Sequence, residues 1–171
     1  AEQRLSQRHE AGEVLFRPSS KGSSYLTLTW AFHLDMFKHI SIEERGKKTS
    51  GLGLGSELYV LEDDITEPFS DLDDIFANYV EPMNDLVRAM VDFKNFKHGS
   101  VQEVEDAMRS DKLEDPNRIP YYVRFEPGKP GSFTLTWLII AASTQQPSIR
   151  RLKVDVRPHV GQTHVLMPDL F

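Results

Sequence analysis

Arg17 is the residue with the clearest potential for binding chemistry, because it stands just before a loop rich in hydroxyl groups. The segment GEVLFRPSSKGSSYLTLTW, residues 12–30, predicts a strand, a tight loop and a second strand. Strand alternation places Leu15, Arg17 and Ser19 on one face. The forked guanidinium, the hydroxyls of Ser19 and Ser20 and the loop N–H groups could together hold a tetrahedral anion. The pattern therefore predicts an anion-binding site, and the alternative is a solvated turn beside a surface arginine.

Two further residues could assist Arg17. Lys21 follows the two serines in the loop, and His39 lies in FKHISIE, residues 37–43, which alternates as a third strand. In that strand Ile40 and Ile42 face one side and His39 faces the other. His39 could add a donor to the same anion, although a single strand histidine is more often a surface residue.

A second copy of this arrangement occurs 107 residues later. Arg124 follows Arg17 at that offset, and Trp137 follows Trp30 at the same offset, within TLTW in both copies. Each copy also has a Pro/Gly/Lys-containing loop and a basic strand downstream. This repetition predicts two copies of one structural unit.

The second copy predicts a weaker anion site. Arg151 and Lys153 share one face of the alternating strand at residues 149–156, and Arg124 takes the place of Arg17. Three converging cations need an anionic partner, although a basic strand edge that keeps the sheet soluble is an alternative. The loop positions that match Ser19 and Ser20 hold Glu126 and Pro127, which oppose an oxyanion.

Composition excludes several classes of protein. The 171 residues contain no cysteine, which excludes disulfide frameworks and thiolate metal sites and fits a reducing compartment. No apolar run approaches the roughly 18–20 residues that span a bilayer, and no signal-peptide pattern is visible. The net charge of −6 argues against non-specific nucleic-acid binding by the whole surface.

No motif indicates an enzyme or a bound cofactor. Gly51, Gly53 and Gly55 lack the final glycine of a dinucleotide-binding loop, and the residues 45–49 lack the first glycine of a P-loop. The six histidines are scattered without metal-ligand spacing. We therefore expect a binding module with no catalytic residue, no metal and no cofactor.

The helical segments lie between and around the strands. Ser70 and Asp73 predict a capping box for a helix with apolar positions up to Tyr79, and Pro82 predicts the first turn of a second helix that ends near Gly99. Ser100 and Glu103 predict a better capping box for a third helix. Residues 1–11 are predicted to be the end of a helix and residues 167–171 the start of another. With no βαβ pattern, the chain is predicted to be α+β, with antiparallel sheets flanked by helices.

The motifs carry a resemblance to a known family. The strand VLFRPS is similar to the Phe-Leu-Val-Arg-Glu-Ser signature of Src-homology-2 (SH2) domains, and Lys38-His39-Ile40 resembles their Lys-His-Tyr strand. More specifically, FRPSSKG, LTLTW, DLDDIFANYVEPM and RIPYYVRF together resemble the tandem SH2 region of the Spt-six (suppressor of Ty) transcription elongation factors. The resemblance extends over nearly the whole chain.

The resemblance implies two SH2 domains packed together, at residues 1–80 and 100–171, joined by a linker helix at residues 81–99. It implies a nuclear module that binds the phosphorylated largest subunit of RNA polymerase II, in the linker before its C-terminal repeat domain. The first pocket would take phosphothreonine or phosphotyrosine, and the second would take phosphoserine in an atypical pocket. Arg124 departs from the family pattern. The implied site residues are, in the first pocket, Arg17, Ser19, Ser20, Lys21 and His39, and in the second, Arg151, Lys153 and Arg124.

Two rival hypotheses remain at this stage. The chain could be a structural module that binds nothing through phosphate, or it could bind nucleic acid through residues 45–48 and 150–157. Phosphate dependence distinguishes the first rival, and a steep salt dependence of RNA or DNA affinity distinguishes the second.

Overall fold

The computed structural model describes residues 1–6, 10–47, 53–62, 65–141 and 146–157. It divides into two compact units, with the division between Val87 and Arg88. We call Ala1–Val87 unit 1 and Arg88–Val156 unit 2. The predicted start of a helix at residues 167–171 and Gly51 of the glycine-containing loop lie outside the described residues. The domain boundaries proposed from the sequence stay a prediction.

Unit 1 is built on a four-stranded antiparallel sheet in the order β1-β2-β3-β4. The strands are β1 (Val14–Pro18), β2 (Tyr25–His33), β3 (Met36–Arg45) and β4 (Glu57–Val60). One face of this sheet is apolar and forms the core of the unit, and its buried side chains are Leu28, Trp30, Ile40, Ile42, Leu58 and Val60. The alternation in the sequence therefore predicted the strands correctly.

Helices lie on both faces of this sheet. On one face α1 (Glu2–Ser6) buries Leu5. On the apolar face lie α2 (Leu72–Ile75), a π-helical turn (Phe76–Val80) and α3 (Glu81–Val91). Their buried side chains complete the core, namely Ile75, Tyr79, Val80, Met83 and Val87. Pro82 is the second residue of α3, as predicted for a first turn, but α3 follows the π-helical turn without a break, so the predicted interruption of the helix is not observed.

Two details of the helix prediction were wrong. The N-cap of α2 is Asp71, whose side chain accepts from the Asp74 N–H, and Ser70 instead donates its own N–H to Asp74 at 2.8 Å. Moreover, α3 ends at Val91 and not near Gly99. The residues after α3 are drawn out of the helix because they pair with the next strand: the Asn95 carbonyl accepts from Val123 N–H, and Lys97 N–H donates to the Val123 carbonyl.

Unit 2 contains a three-stranded antiparallel sheet and one long helix. The strands are β5 (Tyr121–Phe125), β6 (Ser132–Ile140) and β7 (Pro147–Asp155), in the order β5-β6-β7. The helix α4 (Val101–Glu114) begins with the predicted capping box, in which Ser100 and Glu103 exchange both hydrogen bonds. It packs through Val104 and Met108 against one face of the sheet. The α+β class with two antiparallel sheets is confirmed.

The 107-residue repeat is visible in the backbone of both units. Arg17 pairs with Thr27, and Arg124 pairs with Thr134. The two loops also share their hydrogen bonds: Ser19 N–H donates to the Tyr25 carbonyl at 3.0 Å, and Glu126 N–H donates to the Ser132 carbonyl at 2.9 Å. The same backbone therefore carries different loop side chains in the two units.

Candidate anion-binding site

Arg17 lies in a row of polar side chains that crosses the sheet of unit 1. Its cross-strand partner is Thr27, and Thr27 pairs in turn with Ser41 on β3. Directly paired residues of antiparallel strands present their side chains on the same face, with Cβ atoms about 5 Å apart. The face that carries this row is opposite to the apolar face, so a guanidinium and two hydroxyl groups converge outside the core.

The loop after β1 brings Lys21 to the same row. The Lys21 Nζ donates to the Ser41 Oγ at 2.8 Å, and the Lys21 N–H donates to the Ser19 Oγ at 3.2 Å. The ammonium group is thus held over β3, at the Ser41 end of the Arg17 row. Ser20 lies exposed at the tip of the loop, beside Ser19. The structure therefore groups Arg17, Ser19 and Lys21 around one side of the sheet.

The electrostatics of this row favour an anion. The Arg17 guanidinium, half-buried, donates to the adjacent Pro18 carbonyl at 3.5 Å, which is a weak bond. Within the described part of the chain, neither Arg17 nor Lys21 forms an ion pair with a carboxylate. Two cations close to hydroxyl donors and without a carboxylate make a local positive centre in a protein of net charge −6.

His39 lies next to the row, but its ring is already engaged on both nitrogens. Its Nδ1 is 3.0 Å from the Thr29 Oγ1, and its Nε2 is 2.7 Å from the Glu2 Oε1. A neutral ring with its proton on Nε2 satisfies both contacts, donating to Glu2 and accepting from the Thr29 hydroxyl. The predicted donation from His39 to a bound anion stays a prediction. A bound anion would have to compete with Glu2 for the Nε2 proton.

Unit 2 places its three predicted site residues on the corresponding face. Arg124, Thr134 and Lys153 form one row across β5, β6 and β7, and Arg151 lies in the next row. Comparison with unit 1 puts Lys153 in the place of Ser41 and Arg151 in the place of His39. The sequence thus predicted correctly that these basic side chains share a face. It did not predict the carboxylates that contact them.

Carboxylates pair with two of the three predicted site cations of unit 2, and a third carboxylate bonds the cross-strand partner of Arg124. Arg151 pairs with Glu105 of α4, and Lys153 lies 2.9 Å from Asp155. Arg124 is only 5% exposed and donates to the adjacent Phe125 carbonyl at 3.1 Å. Glu126 accepts a hydrogen bond from Thr134, the cross-strand partner of Arg124.

A cleft of about 460 Å³ lies at the C-terminal end of β3 in unit 1, where Arg45 forms part of its lining. Strand alternation puts Ser41, Glu43 and Arg45 on one face, so Arg45 of the cleft lies on the same face of the sheet as the Arg17 row. Arg45 bonds Glu43 at 2.7 Å and lies 4.2 Å over the Tyr59 ring. The apolar part of the lining comes from Val60, Leu61 and Ile65.

Residues 1–6, 10–47, 53–62, 65–141 and 146–157 contain no group of three or more His, Asp or Glu side chains placed to hold a metal ion. Among the same residues, no helix combines the length and the apolar composition needed to cross a membrane.

Sequence reasoning missed the residues that the strand register contributes. Thr27 and Ser41 complete the Arg17 row, but only the alignment of β1, β2 and β3 shows this. Their position on the polar side of each strand was a visible signal. The contact between Glu2 and His39 had no signal in the sequence, because it joins a helix and a strand 37 residues apart.

Comparisons with known proteins agree with this geometry. A family model described as "SH2 domain" matches residues 1–163. The transcription elongation factor SPT6 of Drosophila melanogaster is 35% identical over 136 residues, which are 75% of this chain and 7% of that protein. The SPT6 homolog of Arabidopsis thaliana is 35% identical over 131 residues, 74% of this chain and 8% of that protein. The chain thus spans less than a tenth of the length of these relatives.

Two solved structures are also similar. A tandem SH2 domain of transcription elongation factor Spt6, described as binding the phosphorylated C-terminal repeat domain of RNA polymerase II, superposes with a TM-score of 0.77 at 27% identity. That match covers 92% of this chain and 75% of the other. The tandem SH2 domains of Antonospora locustae Spt6 give a TM-score of 0.67 at 20% identity, over 92% and 74% of the two chains, which supports the fold. The chain therefore belongs to the SH2 domain family and, as its motifs predicted, is similar to the tandem SH2 region of Spt6 elongation factors.

Proposed function

We propose that this chain is a phosphopeptide-binding module that holds a phosphate group at the Arg17 row of unit 1. One observation carries the proposal: within the described residues, neither Arg17 nor Lys21 has a carboxylate partner. Both cations instead bond neutral oxygen atoms, Arg17 the Pro18 carbonyl and Lys21 the Ser41 hydroxyl. A phosphorylated side chain supplies about 1.5–2 negative charges and three acceptor oxygens, which match these donors. Ser19 and Ser20 would add hydroxyl donors from the loop.

The peptide around the phosphate would lie on the surface between the Arg17 row and the cleft at Arg45. A peptide running across β3 from Ser41 toward Tyr59 would meet both apolar and charged groups. The apolar lining at Leu61 and Ile65 would take an aliphatic or aromatic side chain of that peptide. This arrangement would give sequence selectivity in addition to phosphate binding.

The proposed partner is the largest subunit of RNA polymerase II, phosphorylated in its linker or C-terminal repeat domain, and the proposed location is the nucleus. A solved relative is described as binding the phosphorylated repeat domain. We propose phosphothreonine or phosphotyrosine for the first pocket. For the second pocket, at Arg151, Lys153 and Arg124, we propose weaker binding of phosphoserine.

The structure of the basic segments argues against the nucleic-acid alternative. In the first segment, Arg45 is paired with Glu43 and Lys47 is paired with the buried Glu44. In the second, Arg151 and Lys153 each have a carboxylate partner. A nucleic acid would have to displace a carboxylate from each of these four cations, so we expect a lower salt-dependent affinity for RNA or DNA than for the phosphopeptide.

The experiment that tests the proposal is a calorimetric titration of the protein with matched phosphorylated and unphosphorylated peptides from the polymerase linker. We expect measurable heat and a defined affinity for the phosphorylated peptide only. Equal affinity for both peptides would contradict the proposal and support a structural module. Affinity for a control RNA that exceeds the affinity for the phosphopeptide would support the nucleic-acid alternative.

A further inference from the structure

We propose that Glu126 is the residue that sets the specificity of unit 2, because its carboxylate, held in the Arg124 row, weakens phosphate binding there. The inference rests on the proposed phosphate-binding function and extends it to the difference between the two units. It begins with the loops, which are superimposable in their hydrogen bonding. At the common offset of 107, Glu126 takes the place of Ser19, Pro127 that of Ser20 and Gly128 that of Lys21.

Every one of these three replacements removes a side-chain donor from the loop. Serine hydroxyls and a lysine ammonium can donate to a phosphate oxygen, whereas an ionised carboxylate can only accept. The loop of unit 2 thus presents an acceptor where the loop of unit 1 presents donors. A phosphate group approaching Arg124 would meet like charge instead of a hydrogen-bond donor.

The position of the Glu126 carboxylate makes this effect specific. It accepts a hydrogen bond from Thr134, whose side chain lies on the same face as Arg124 and directly across from it. Arg124 is only 5% exposed, and it has no ion pair among the described residues. The half-buried Glu126 carboxylate is thus held at the side chain directly across from a buried guanidinium.

Glu105 and Asp155, which pair with the other two basic residues of the site, are weaker candidates for this role. The Arg151 and Lys153 side chains are 49% and 47% exposed, so their pairs with Glu105 and Asp155 are solvated and easily exchanged for a ligand. Glu126, in contrast, bonds the cross-strand partner of a buried cation, in a place where charge is poorly screened. Its removal should therefore change phosphate binding most.

The test is a titration of the whole chain with inorganic phosphate at neutral pH, followed by NMR. The amide signal of Thr27 reports on unit 1 and that of Thr134 reports on unit 2. The variant Glu126→Gln keeps an oxygen acceptor for Thr134 and removes the charge, and Glu126→Ser installs the residue found at position 19. Glu114→Gln, at the exposed end of α4, is the matched control that removes one charge from unit 2 elsewhere.

We expect Glu126→Gln and Glu126→Ser to tighten phosphate binding at Thr134 by about tenfold or more. Addition of Arg124→Met should abolish that gain, and Glu114→Gln should leave the Thr134 response within about twofold of the wild type. If both Glu126 variants match Glu114→Gln at Thr134, the inference is overturned.

The two reporters separate this inference from the proposed function. Saturation of Thr27 in the wild type, with no gain at Thr134 in either variant, would support the phosphate site of unit 1 and overturn the role of Glu126. A gain at Thr134 without any response at Thr27 would support the role of Glu126 and contradict the function proposed for unit 1. No response at either amide in any variant would overturn both.

Discussion

Arg17 and Arg124 occupy the same backbone position in the two units but have different electrostatic surroundings. Arg17 is half-buried, and the nearest loop side chains offer hydroxyl and ammonium donors. Arg124 is buried, and the corresponding loop brings a carboxylate to its cross-strand partner. A phosphate binds where positive charge is available and other donors can assist it, so the presence of an arginine alone does not decide the function. Its neighbours in the row do.

Lys21 is predicted to contribute to phosphate binding without contributing to stability. Replacing Lys21 by Met removes the ammonium that bonds Ser41, and it removes one positive charge from the anion site. We expect the affinity for the phosphopeptide to fall by about tenfold, in keeping with about 1.5 kcal/mol for a charge-assisted hydrogen bond. Calorimetry of the variant measures the loss, and thermal unfolding should be unchanged because Lys21 is exposed.

The exposed Lys94 provides the control for this prediction. Lys94→Met removes the same charge from the chain at a site distant in sequence from the Arg17 row. Equal losses in the two variants would mean that net charge, and not the position of Lys21, governs the affinity.

The composition of the loop after β1 was enough to indicate a candidate anion site. Arg17, Ser19 and Lys21 stand within five positions, and their residue types alone indicate an anion site. The row they join could not be predicted, because Ser41 reaches it through the register of two strand pairs. The engagement of His39 by Glu2 depends on how a helix packs on a sheet, which no local pattern encodes.

Among the elements, α3 is fixed to the sheet of unit 1 through a buried amide. The Asn84 side chain accepts from the Trp30 indole N–H at 2.7 Å and donates to the Gly12 carbonyl at 3.1 Å. We expect Asn84→Ala to destabilise unit 1 by about 1–3 kcal/mol, because it leaves the buried indole N–H without an acceptor. Amide hydrogen exchange of β2 measures this loss within the unit itself.

The exposed Asn117 gives a matched control for the loss of an amide side chain. Asn117→Ala lies in the turn after α4 and should leave β2 exchange unchanged. Unchanged protection of β2 in Asn84→Ala would show that the hydrogen bond to Trp30 contributes nothing to the fold.

The capping box of α4 is predicted to be the main local contribution to the start of that helix. Ser100 accepts from the Glu103 N–H and thereby satisfies one of the free donors of the first turn. We expect Ser100→Ala to destabilise α4 by about 0.5–2 kcal/mol, and Ser100→Thr to retain most of the cap. Hydrogen exchange of the α4 amides distinguishes these outcomes, and equal protection in the two variants would contradict the account.

The same box makes α4 sensitive to acid. Hydrogen bonds from the Ser100 backbone N–H lower the pKa of the Glu103 carboxyl below its ordinary value of 4.5. A carboxyl with a lowered pKa in the folded state stabilises the fold fully above its unfolded pKa, and this contribution is lost as the pH falls through the lowered value. We expect the difference in unfolding midpoint between the wild type and Glu103→Gln to shrink as the pH is lowered through that window. A difference that stays constant with pH would contradict this assignment.

The caps also show how far local patterns predict an element. Ser100 and Glu103 satisfy both halves of the box, and the structure has the cap that they predict. Near α2, Ser70 and Asp71 are adjacent and both residue types favour the N-cap, so the local pattern could not choose between them. The early end of α3 depends on the pairing of residues 95–97 with Val123, which is a contact distant in sequence.

At the scale of the whole chain, the repeat of 107 residues gives two units with matching strand pairs around the arginine but with unequal charge. Their common strand pairs and loop hydrogen bonds show that the architecture tolerates replacement of the loop side chains. The repeat itself, and with it the α+β class, could be predicted because both copies retain the arginine and the TLTW strand. The unequal charge became visible only from the contacts of Glu105, Glu126 and Asp155.

The most direct test of the account is the affinity of wild-type and Arg17→Ala protein for the phosphorylated polymerase-linker peptide, measured by calorimetry. We predict that Arg17→Ala leaves the fold intact and weakens binding by about 2–5 kcal/mol, the cost of removing one partner from a buried charged pair. Arg118→Ala, an exposed arginine of unit 2, is the control and should bind as the wild type does. An Arg17→Ala protein that remains folded and binds the phosphopeptide with unchanged affinity would contradict the central claim.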